Sequence, residues 1–285
     1  MNGVLVVDKP KNCTSRDVVN TICRKFHIKK VGHTGTLDPL ATGVLIILIG
    51  KYTNLVEVVT AYYKIYEAEI TLGTLTDTLD ITGNIIKEEN AKFTKEEIEE
   101  SLNKMVGTYN QTVPIYSAVK INGKKLYEYA RNNEEVELPK RKVTIKSIEL
   151  ISDIKYENNK TIFKIRTEVS KGTYIRALIN DIALSLNTIG IMSELRRIKQ
   201  GNIDISDSYK LEDIENDNYE FYSIDKLLGN IYKIDLNEEE FKKVKNGVPI
   251  PNIYNQETVL FKYNGNIIAI YKNDKNILKM WKYLL

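Results

Sequence analysis

The apolar positions of the chain recur with two different periods, and each period predicts a type of element. Val4–Val7 and Val44–Gly50 are continuous apolar runs, which are typical of short strands buried on both faces. Val18, Ile22 and Phe26 instead recur at a spacing of four residues. This spacing predicts a helix with one buried stripe.

Two longer segments alternate between apolar and polar positions, which is typical of strands with one buried face. In residues 62–73 one face is formed by Tyr66, Ala68, Ile70 and Leu72, and only Ile65 breaks the alternation. Four polar residues are assigned to the other face: Lys64, Glu67, Glu69 and Thr71. Residues 163–169 alternate in the same way, and an apolar stripe beginning at Ile175 predicts a helix directly after them.

The C-terminal part of the chain has a different character. Asn264-Gly265 separates two apolar runs, which is a strong signal for a β-hairpin. Residues 261–285 carry five lysines against one acidic residue, Asp274. We therefore expect a small, basic, β-rich domain over residues 231–285, and a larger domain of mixed helices and strands over residues 1–230.

Composition narrows the classes of function. The chain has 285 residues, 42% of them apolar, so a substantial core is expected. The net charge is only +3, so any basic surface must come from local clustering of basic residues. The two cysteines form no C-x-x-C pair, and there are only two histidines. Neither a disulfide framework nor a zinc site is expected, and a reducing compartment fits. No apolar run approaches the roughly 18 residues of a membrane span, so a soluble, cytoplasmic protein is expected.

The segment richest in glycine is GHTGTLDPLATG, residues 32–43. Pro39 disfavours helical geometry at Asp38, which is therefore expected in a turn or extended conformation at the entrance to a buried strand. Asp38 is either an aspartate that hydrogen-bonds its own turn or a positioned carboxylate acting as nucleophile or base. The glycines match neither common phosphate-binding pattern, so a nucleotide cradle is not expected.

This segment closely resembles the catalytic segment of the bacterial TruB family of tRNA pseudouridine synthases. Three further segments resemble that family in the same order: the K-x-Y pair at Lys64 and Tyr66, the K-G-T-Y-I-R run ending at Arg176, and the L-R-R run beginning at Leu195. The resemblance implies an α+β pseudouridine synthase fold, with a central mixed, mostly antiparallel sheet flanked by helices. It also implies that the small β-rich C-terminal domain is a PUA-like RNA-binding domain.

The resemblance implies roles for individual residues. Asp38 is the catalytic residue, Tyr66 lies in the active site and Arg176 pairs with Asp38. A strand tyrosine is otherwise usually part of the core. An arginine in a first helical turn opposes the helix dipole, which independently favours an acidic partner for Arg176. Leu195 is expected to pack beside the site, and Lys64 to contact the substrate.

Two residues near the N-terminus leave alternatives open. Lys9 stands in a D-K-P segment that is similar to the start of the family, and is either a solvated loop lysine or a substrate contact. His33 is either a structural turn residue or, as the resemblance implies, an RNA contact that helps hold the flipped-out nucleotide. Both are kept as candidate RNA contacts.

Residues 120–146 combine basic residues with tyrosines and turn residues. Such a charged run is usually a solvated face, but basic side chains interleaved with aromatics can also clasp a phosphate backbone and stack on bases. The segment resembles the insertion with which the family closes over the tRNA arm. Lys124, Tyr127 and Arg141 are therefore candidate RNA contacts, and the segment is expected to be mobile without RNA.

The resemblance as a whole implies an enzyme that converts uridine to pseudouridine at position 55 in the T-arm of tRNA, by base flipping and an aspartate-dependent mechanism. No cofactor and no metal are expected, because isomerisation needs neither redox chemistry nor an energy source. The expected partner is tRNA alone, bound by a monomer with no obligate protein partner and no membrane contact. Two other hypotheses remain: a tRNA-binding or tRNA-folding module with dispensable catalysis, and a guide-RNA-dependent relative.

Overall fold

The computed structural model describes residues 1–285 and contains two large β-sheets with helices packed against them. The first half of the chain forms, in order, β1 (Gly3–Lys9), α1 (Ser15–Phe26), β2 (Val31–His33), β3 (Thr42–Ile49), a 3₁₀ turn (Gly50–Leu55), α2 (Val56–Thr60), β4 (Lys64–Leu72), β5 (Thr74–Thr76), β6 (Ile85–Glu88), α3 (Lys95–Lys104), β7 (Gly107–Thr112), β8 (Lys120–Ile121), β9 (Lys124–Lys125) and α4 (Leu126–Arg131). The second half forms β10 (Lys140–Leu150), β11 (Lys155–Glu157), β12 (Lys160–Val169), α5 (Ile175–Ser185), β13 (Gly190–Gln200), β14 (Ile203–Asp204), a 3₁₀ turn (Ile205–Asp207), α6 (Leu211–Glu215), α7 (Ile224–Leu227), β15 (Tyr232–Asp235), α8 (Glu238–Lys245), β16 (Ile250–Pro251), β17 (Thr258–Tyr263), β18 (Asn266–Asp274) and β19 (Ile277–Tyr283). No helix has the length and apolar character needed to cross a lipid bilayer.

The larger sheet has ten strands. Its main path runs β1-β3-β13-β4-β12-β10-β7, while β2, β14 and β11 pair with β3, β13 and β12. Only β3 and β13 pair in parallel, so the predicted mixed, mostly antiparallel sheet is confirmed. Because β13 lies between β3 and β4, the loop that precedes β3 comes close to both β13 and β4.

Strands β1 and β3 are buried on both faces, as their continuous apolar runs predicted. Val4 and Val6 pack into one hydrophobic cluster, whereas Leu5 and Val7 pack into another, beneath α1. The side chain of Thr14 caps α1 in a capping box with Asp17.

Strand β4 confirms its apolar face and corrects the assignment of one residue. Tyr66, Ala68, Ile70 and Leu72 are buried, as predicted. Lys64, which the sequence pattern placed on the polar face, is buried as well, with 7% of its surface exposed. Residues two apart in a strand share a face, so the lysine points the same way as Tyr66.

The insertion predicted over residues 120–146 is shorter in the structure. A two-stranded hairpin and α4 occupy its first part, but β10 begins at Lys140. Lys140 pairs with Thr112 of β7, and Ile145 pairs with Val169 of β12. Residues 140–146 therefore belong to the central sheet, and only residues 120–139 lie outside it.

The smaller sheet has five strands in the order β15-β17-β18-β19-β16. Its Asn264-Gly265 turn joins β17 to β18, as the hairpin signal predicted. Leu260 and Ile270 of this sheet belong to the same hydrophobic cluster as Val4 and Ile46 of the larger sheet. The two sheets thus share part of one core.

We propose a domain boundary near Ile231 and expect the two domains to unfold together. Leu260→Ala should lower the free energy of unfolding of the whole chain by about 2–5 kcal/mol, because Leu260 is fully buried in the shared cluster. Chemical denaturation followed by far-UV circular dichroism measures this change. Ile277→Ala, at a half-exposed position of β19, is the control and should change it by less than about 0.5 kcal/mol. Two separate transitions, only one of them shifted by Leu260→Ala, would contradict the coupling.

Candidate active site

The loop that carries Asp38 is fixed by its apolar neighbours. Leu37 and Leu40 are buried, with 3% and 7% of their surface exposed. The Ser15 hydroxyl, at the start of α1, accepts a hydrogen bond from the Leu37 amide at 2.9 Å. The Asp38 carbonyl accepts one from the Ala41 amide at 3.0 Å, which closes a turn. The Asp38 side chain therefore stays partly exposed on a loop whose position is set by packing.

Lys9 supports this loop from inside and does not reach the surface. Its side chain is fully buried, and its ammonium donates to the carbonyls of Pro10 at 2.8 Å, Cys13 and Pro39 at 3.4 Å. Burial lowers the pKa of Lys9, while Cys13 and Asp38 act in the opposite direction. The structure thus corrects the expectation of an RNA contact: three backbone carbonyls replace the water that a surface lysine would keep.

Arg176 joins the segments of Thr78 and Tyr116 to the catalytic loop. Its Nε lies 2.9 Å from Asp38 Oδ2, which is the pairing that the resemblance implied. Its Nη1 donates to the carbonyl of Thr78 at 2.9 Å, and its Nη2 donates to the carbonyl of Tyr116 at 3.0 Å. Asp80 Oδ2 lies 3.8 Å from the same Nε. With three nitrogens engaged and only 6% of its surface exposed, the guanidinium is held in one orientation.

Asp38 and Arg176 line a cleft of about 430 Å³. Six residues singled out from the sequence line it: Asp38, Lys64, Tyr66, Tyr127, Arg176 and Leu195. Among the other polar side chains of the lining, those of Tyr116, Tyr174 and Arg197 were not among the candidate site residues. Four candidates do not line it: Lys9, His33, Lys124 and Arg141.

Arg197 forms the floor of the cleft beside Tyr66. It has no exposed surface, and it donates to the carbonyl of Val44 at 2.6 Å, to the carbonyl of Gly35 at 3.0 Å and to the Tyr66 hydroxyl at 3.4 Å. Its neighbour Arg196 pairs with an aspartate instead, Asp8, at 2.7 Å. Adjacent strand residues face opposite ways, which is why the two arginines have different surroundings.

Tyr174 is fixed by a buried glutamine. Gln111, 1% exposed, accepts from the Tyr174 amide at 2.9 Å and donates to the Tyr174 carbonyl at 3.2 Å. Gln111 also donates to the Tyr109 hydroxyl at 3.0 Å, and that hydroxyl donates to Asp181. This chain of contacts orients the residues just before α5, and with them Arg176.

His33 lies beside the catalytic loop and outside the cleft lining. Its Nδ1 accepts a hydrogen bond from the Gly35 amide at 3.3 Å, which is the structural turn role considered from the sequence. Burial lowers the pKa of His33, and the charges of Arg197 and Arg16 lower it further. The imidazole is therefore neutral near neutral pH, and its RNA contact stays a prediction.

The remaining basic candidates, Lys124 and Arg141, do not line the cleft. Lys124 pairs with Glu134 at 2.6 Å and lies 4.6 Å from the centre of the Tyr129 ring, so its charge is already matched within the insertion. Arg141 is exposed on β10, and its Nη1 lies 3.9 Å from the position that a Cβ of Gly172 would take. Because Gly172 lines the cleft, Arg141 lies near its rim.

Comparisons with known proteins agree with this geometry. Residues 23–175 match the family model described as TruB family pseudouridylate synthase (N terminal domain), and residues 176–231 match the one described as tRNA pseudouridylate synthase B C-terminal domain. A solved Cbf5-Nop10-Gar1 complex is similar in structure, with a TM-score of 0.73 at 22% identity over 99% of this chain and 85% of the matched chain. An H/ACA RNP bound to a substrate RNA containing 2′-deoxyuridine gives a TM-score of 0.73 at 21% identity over the same shares of the two chains. The fold is that of the pseudouridine synthases.

Curated relatives narrow the class further. A protein called tRNA pseudouridine synthase B from Lactobacillus acidophilus is 41% identical over 98% of this chain and 97% of its own length. The protein of the same name from Caldanaerobacter subterraneus subsp. tengcongensis is 44% identical over 93% of this chain and 92% of its own length. The chain belongs to the TruB family of pseudouridylate synthases. Membership implies the isomerisation of uridine to pseudouridine in tRNA.

Proposed function

We propose that this chain isomerises the uridine at position 55 in the T-arm of tRNA. The observation that carries the proposal is the buried Arg176 that holds the Asp38 carboxylate at the wall of a cleft beside Tyr66. The volume of the cleft falls within the range of about 300–1,000 Å³ that is usual for sites that enclose a small ligand. A uridine stacked inside folded RNA enters such a site only after it is extruded, which takes a few kcal/mol.

The three proposed catalytic residues have distinct roles. Asp38 acts at the ribose side of the extruded uridine, where the bond between N1 and the sugar breaks. Tyr66 stacks on the base and removes the proton from C5. Arg176 keeps Asp38 oriented and charged, because its guanidinium is itself fixed by two backbone carbonyls. The reaction rearranges bonds within one nucleotide, so these side chains act without a cofactor.

Binding energy for base extrusion comes from the surfaces around the cleft. Tyr127 brings an aromatic ring of the insertion to the cleft wall. In the smaller sheet, Lys272 lies 5.7 Å from the centre of the Trp281 ring, a combination of charge and aromatic surface that suits a nucleic-acid backbone. We propose that this PUA-like domain and residues 120–139 grip the tRNA, with no protein partner.

Two alternatives make different predictions. A tRNA-binding or tRNA-folding module would not need the Asp38–Arg176 pair, in which all three guanidinium nitrogens contact Asp38 or a backbone carbonyl. A guide-dependent enzyme would need a second RNA to select its target. Both alternatives predict that purified protein and bare tRNA give no product.

Tritium release from tRNA labelled at uridine C5 tests the proposal. Purified chain with bare tRNA is expected to release one tritium per tRNA, because C5 exchanges its proton for the ribose. A matched tRNA with cytidine at position 55 should release none. Equal release from both tRNAs would overturn the position, while tight binding without any release would favour the binding module or the guide-dependent enzyme.

A further inference from the structure

Two cationic side chains of the cleft have no acidic partner. Lys64 and Arg197 are 7% and 0% exposed, and no carboxylate oxygen lies within 4.0 Å of either nitrogen group. The Lys64 ammonium donates to the carbonyls of Thr60 and Tyr62, at 3.0 and 2.9 Å. A buried charge without a counter-charge destabilises a fold. The burial of both Lys64 and Arg197 therefore needs an explanation.

The two cations meet under the catalytic loop. Arg197 Nη1 and Lys64 Cε lie 3.4 and 3.5 Å from the position that a Cβ of Gly35 would occupy. Gly35 has a φ of +148°, so a side chain there would be strained as well as crowded. The positive charge of Arg176 is balanced by Asp38 in the same cleft. The floor formed by Lys64 and Arg197 is thus an unbalanced positive charge.

RNA phosphates are not the charge that this floor meets. Arg197 has no exposed surface, and protein acceptors take up its donors at Val44, Gly35 and Tyr66. The floor lies at the depth of Tyr66, where the extruded base is proposed to stack, whereas phosphates stay at the mouth of a cleft. A fixed cation at that depth acts on the base through its field, which the low surrounding dielectric strengthens.

Lys64 is also poised to respond to an anion. Burial lowers the pKa of Lys64 to about 7, and the charges of Arg197 and Lys171 contribute in the same direction. The ammonium form of Lys64 is therefore less favoured in this cleft than in water. A negative charge on a bound base would favour its ammonium form.

We propose that Lys64 and Arg197 stabilise the uracil anion that forms when the base separates from the ribose. The inference rests on the proposed function. Asp38 bonds to C1′ as the N1–C1′ bond breaks, and the electron pair of that bond leaves with the uracil, which becomes an anion. Attack by C5 of this anion on C1′ then releases the Asp38 carboxylate. Finally C5 loses a proton and N1 gains one, so the composition of the nucleotide is unchanged.

Substitutions at Lys64 test the charge separately from the fold. Lys64→Met removes the charge and is expected to lower the single-turnover rate at saturating enzyme on the order of 10²-fold. Lys64→Arg keeps a permanent charge and is expected to retain at least about a tenth of the wild-type rate. Thermal unfolding of both variants checks that they fold, and wild type on the same tRNA checks the proposed function independently. Wild-type rates for Lys64→Met would overturn the inference.

Two further readouts exclude a merely structural role. A target uridine with fluorine at C5 gives a less basic uracil anion, so the deficit of Lys64→Met should shrink by about tenfold, measured as loss of the N-linked nucleotide. The titratable and charged groups that share the cleft with Lys64 are those of Asp38, Arg176 and Arg197 and the hydroxyls of Tyr66, Tyr116, Tyr127 and Tyr174, with Lys171 nearby. Because Lys64 loses its charge as pH rises through its pKa, the wild-type rate is expected to fall over that range. Lys64→Arg, which stays charged, should show no such fall. An unchanged deficit with the fluorinated base, or a wild-type rate that rises with pH because Lys64 acts as a base, would overturn the inference.

Discussion

Asp38→Asn is expected to abolish pseudouridine formation, with a single-turnover rate at least about 10⁴-fold below that of wild type. The amide has the size of the carboxylate, and its oxygen can still accept a hydrogen bond from Arg176 Nε, now 2.9 Å from Asp38. The loop should also keep its place, because Leu37 and Leu40 anchor it from both sides. What is lost is the negative charge and the nucleophilic oxygen, which an amide cannot supply.

The affinity for tRNA separates this chemical role from a structural one. Removing one negative charge from a cleft that binds a polyanion does not weaken binding, so the dissociation constant should stay within about threefold of wild type at fixed salt. Asp8→Asn is the matched control, since Asp8 also pairs with an arginine, Arg196, but does not line the cleft. It should retain most of the activity. A large loss of tRNA affinity in Asp38→Asn would identify Asp38 as a structural residue of the loop.

Local patterns in the sequence predicted most of the fold. Continuous apolar runs identified β1 and β3, and alternation identified β4 and β12, because burial on two faces or one leaves a direct mark on composition. The capping boxes of α1 and α3 are features of the same local kind, since each depends only on two residues three apart. The general position of the cleft followed from the resemblance, which named six of its lining residues.

The burial of the cations was not evident from local patterns. The Lys9 ammonium donates to the nearby carbonyls of Pro10 and Cys13, but also to that of Pro39, thirty residues away. Arg197 depends in the same way on Gly35 and Val44. Strand β13 also contains two register shifts, one between Met192 and Glu194 and one between Arg197 and Lys199. A bulge breaks the period of two, so alternation alone does not assign a face along the whole strand.

The end of the insertion was misjudged for a related reason. Basic residues continue from the insertion into β10, whose first three residues are exposed. The basic composition of the chain therefore stays the same across the point at which it enters the sheet. The boundary is set by the pairing of Lys140 with Thr112, a contact that local composition does not record.

Arg176→Ala is expected to lower the single-turnover rate on the order of 10³-fold while tRNA still binds. The guanidinium holds three groups that a smaller side chain leaves unpaired: the Asp38 carboxylate and the carbonyls of Thr78 and Tyr116. Tyr116 also lines the cleft, so the arginine links Asp38 to the segment that leads into the insertion. Loss of the arginine should therefore release the carboxylate and loosen one wall of the cleft together.

Arg176→Lys separates charge from geometry. An ammonium supplies the charge but not the planar fork, so it can approach Asp38 but cannot also reach both carbonyls, and an intermediate loss of about 10²-fold is expected. Arg166→Ala is the matched control, because Arg166 pairs with Glu67 at 2.8 Å on an exposed face and should change the rate little. In the double variant Asp38→Asn/Arg176→Ala the second substitution should have little further effect, since the arginine acts through the aspartate. Additive losses would mean that Arg176 acts on the substrate directly, and a near-normal rate for Arg176→Ala would rule out the ion pair as the device that orients Asp38.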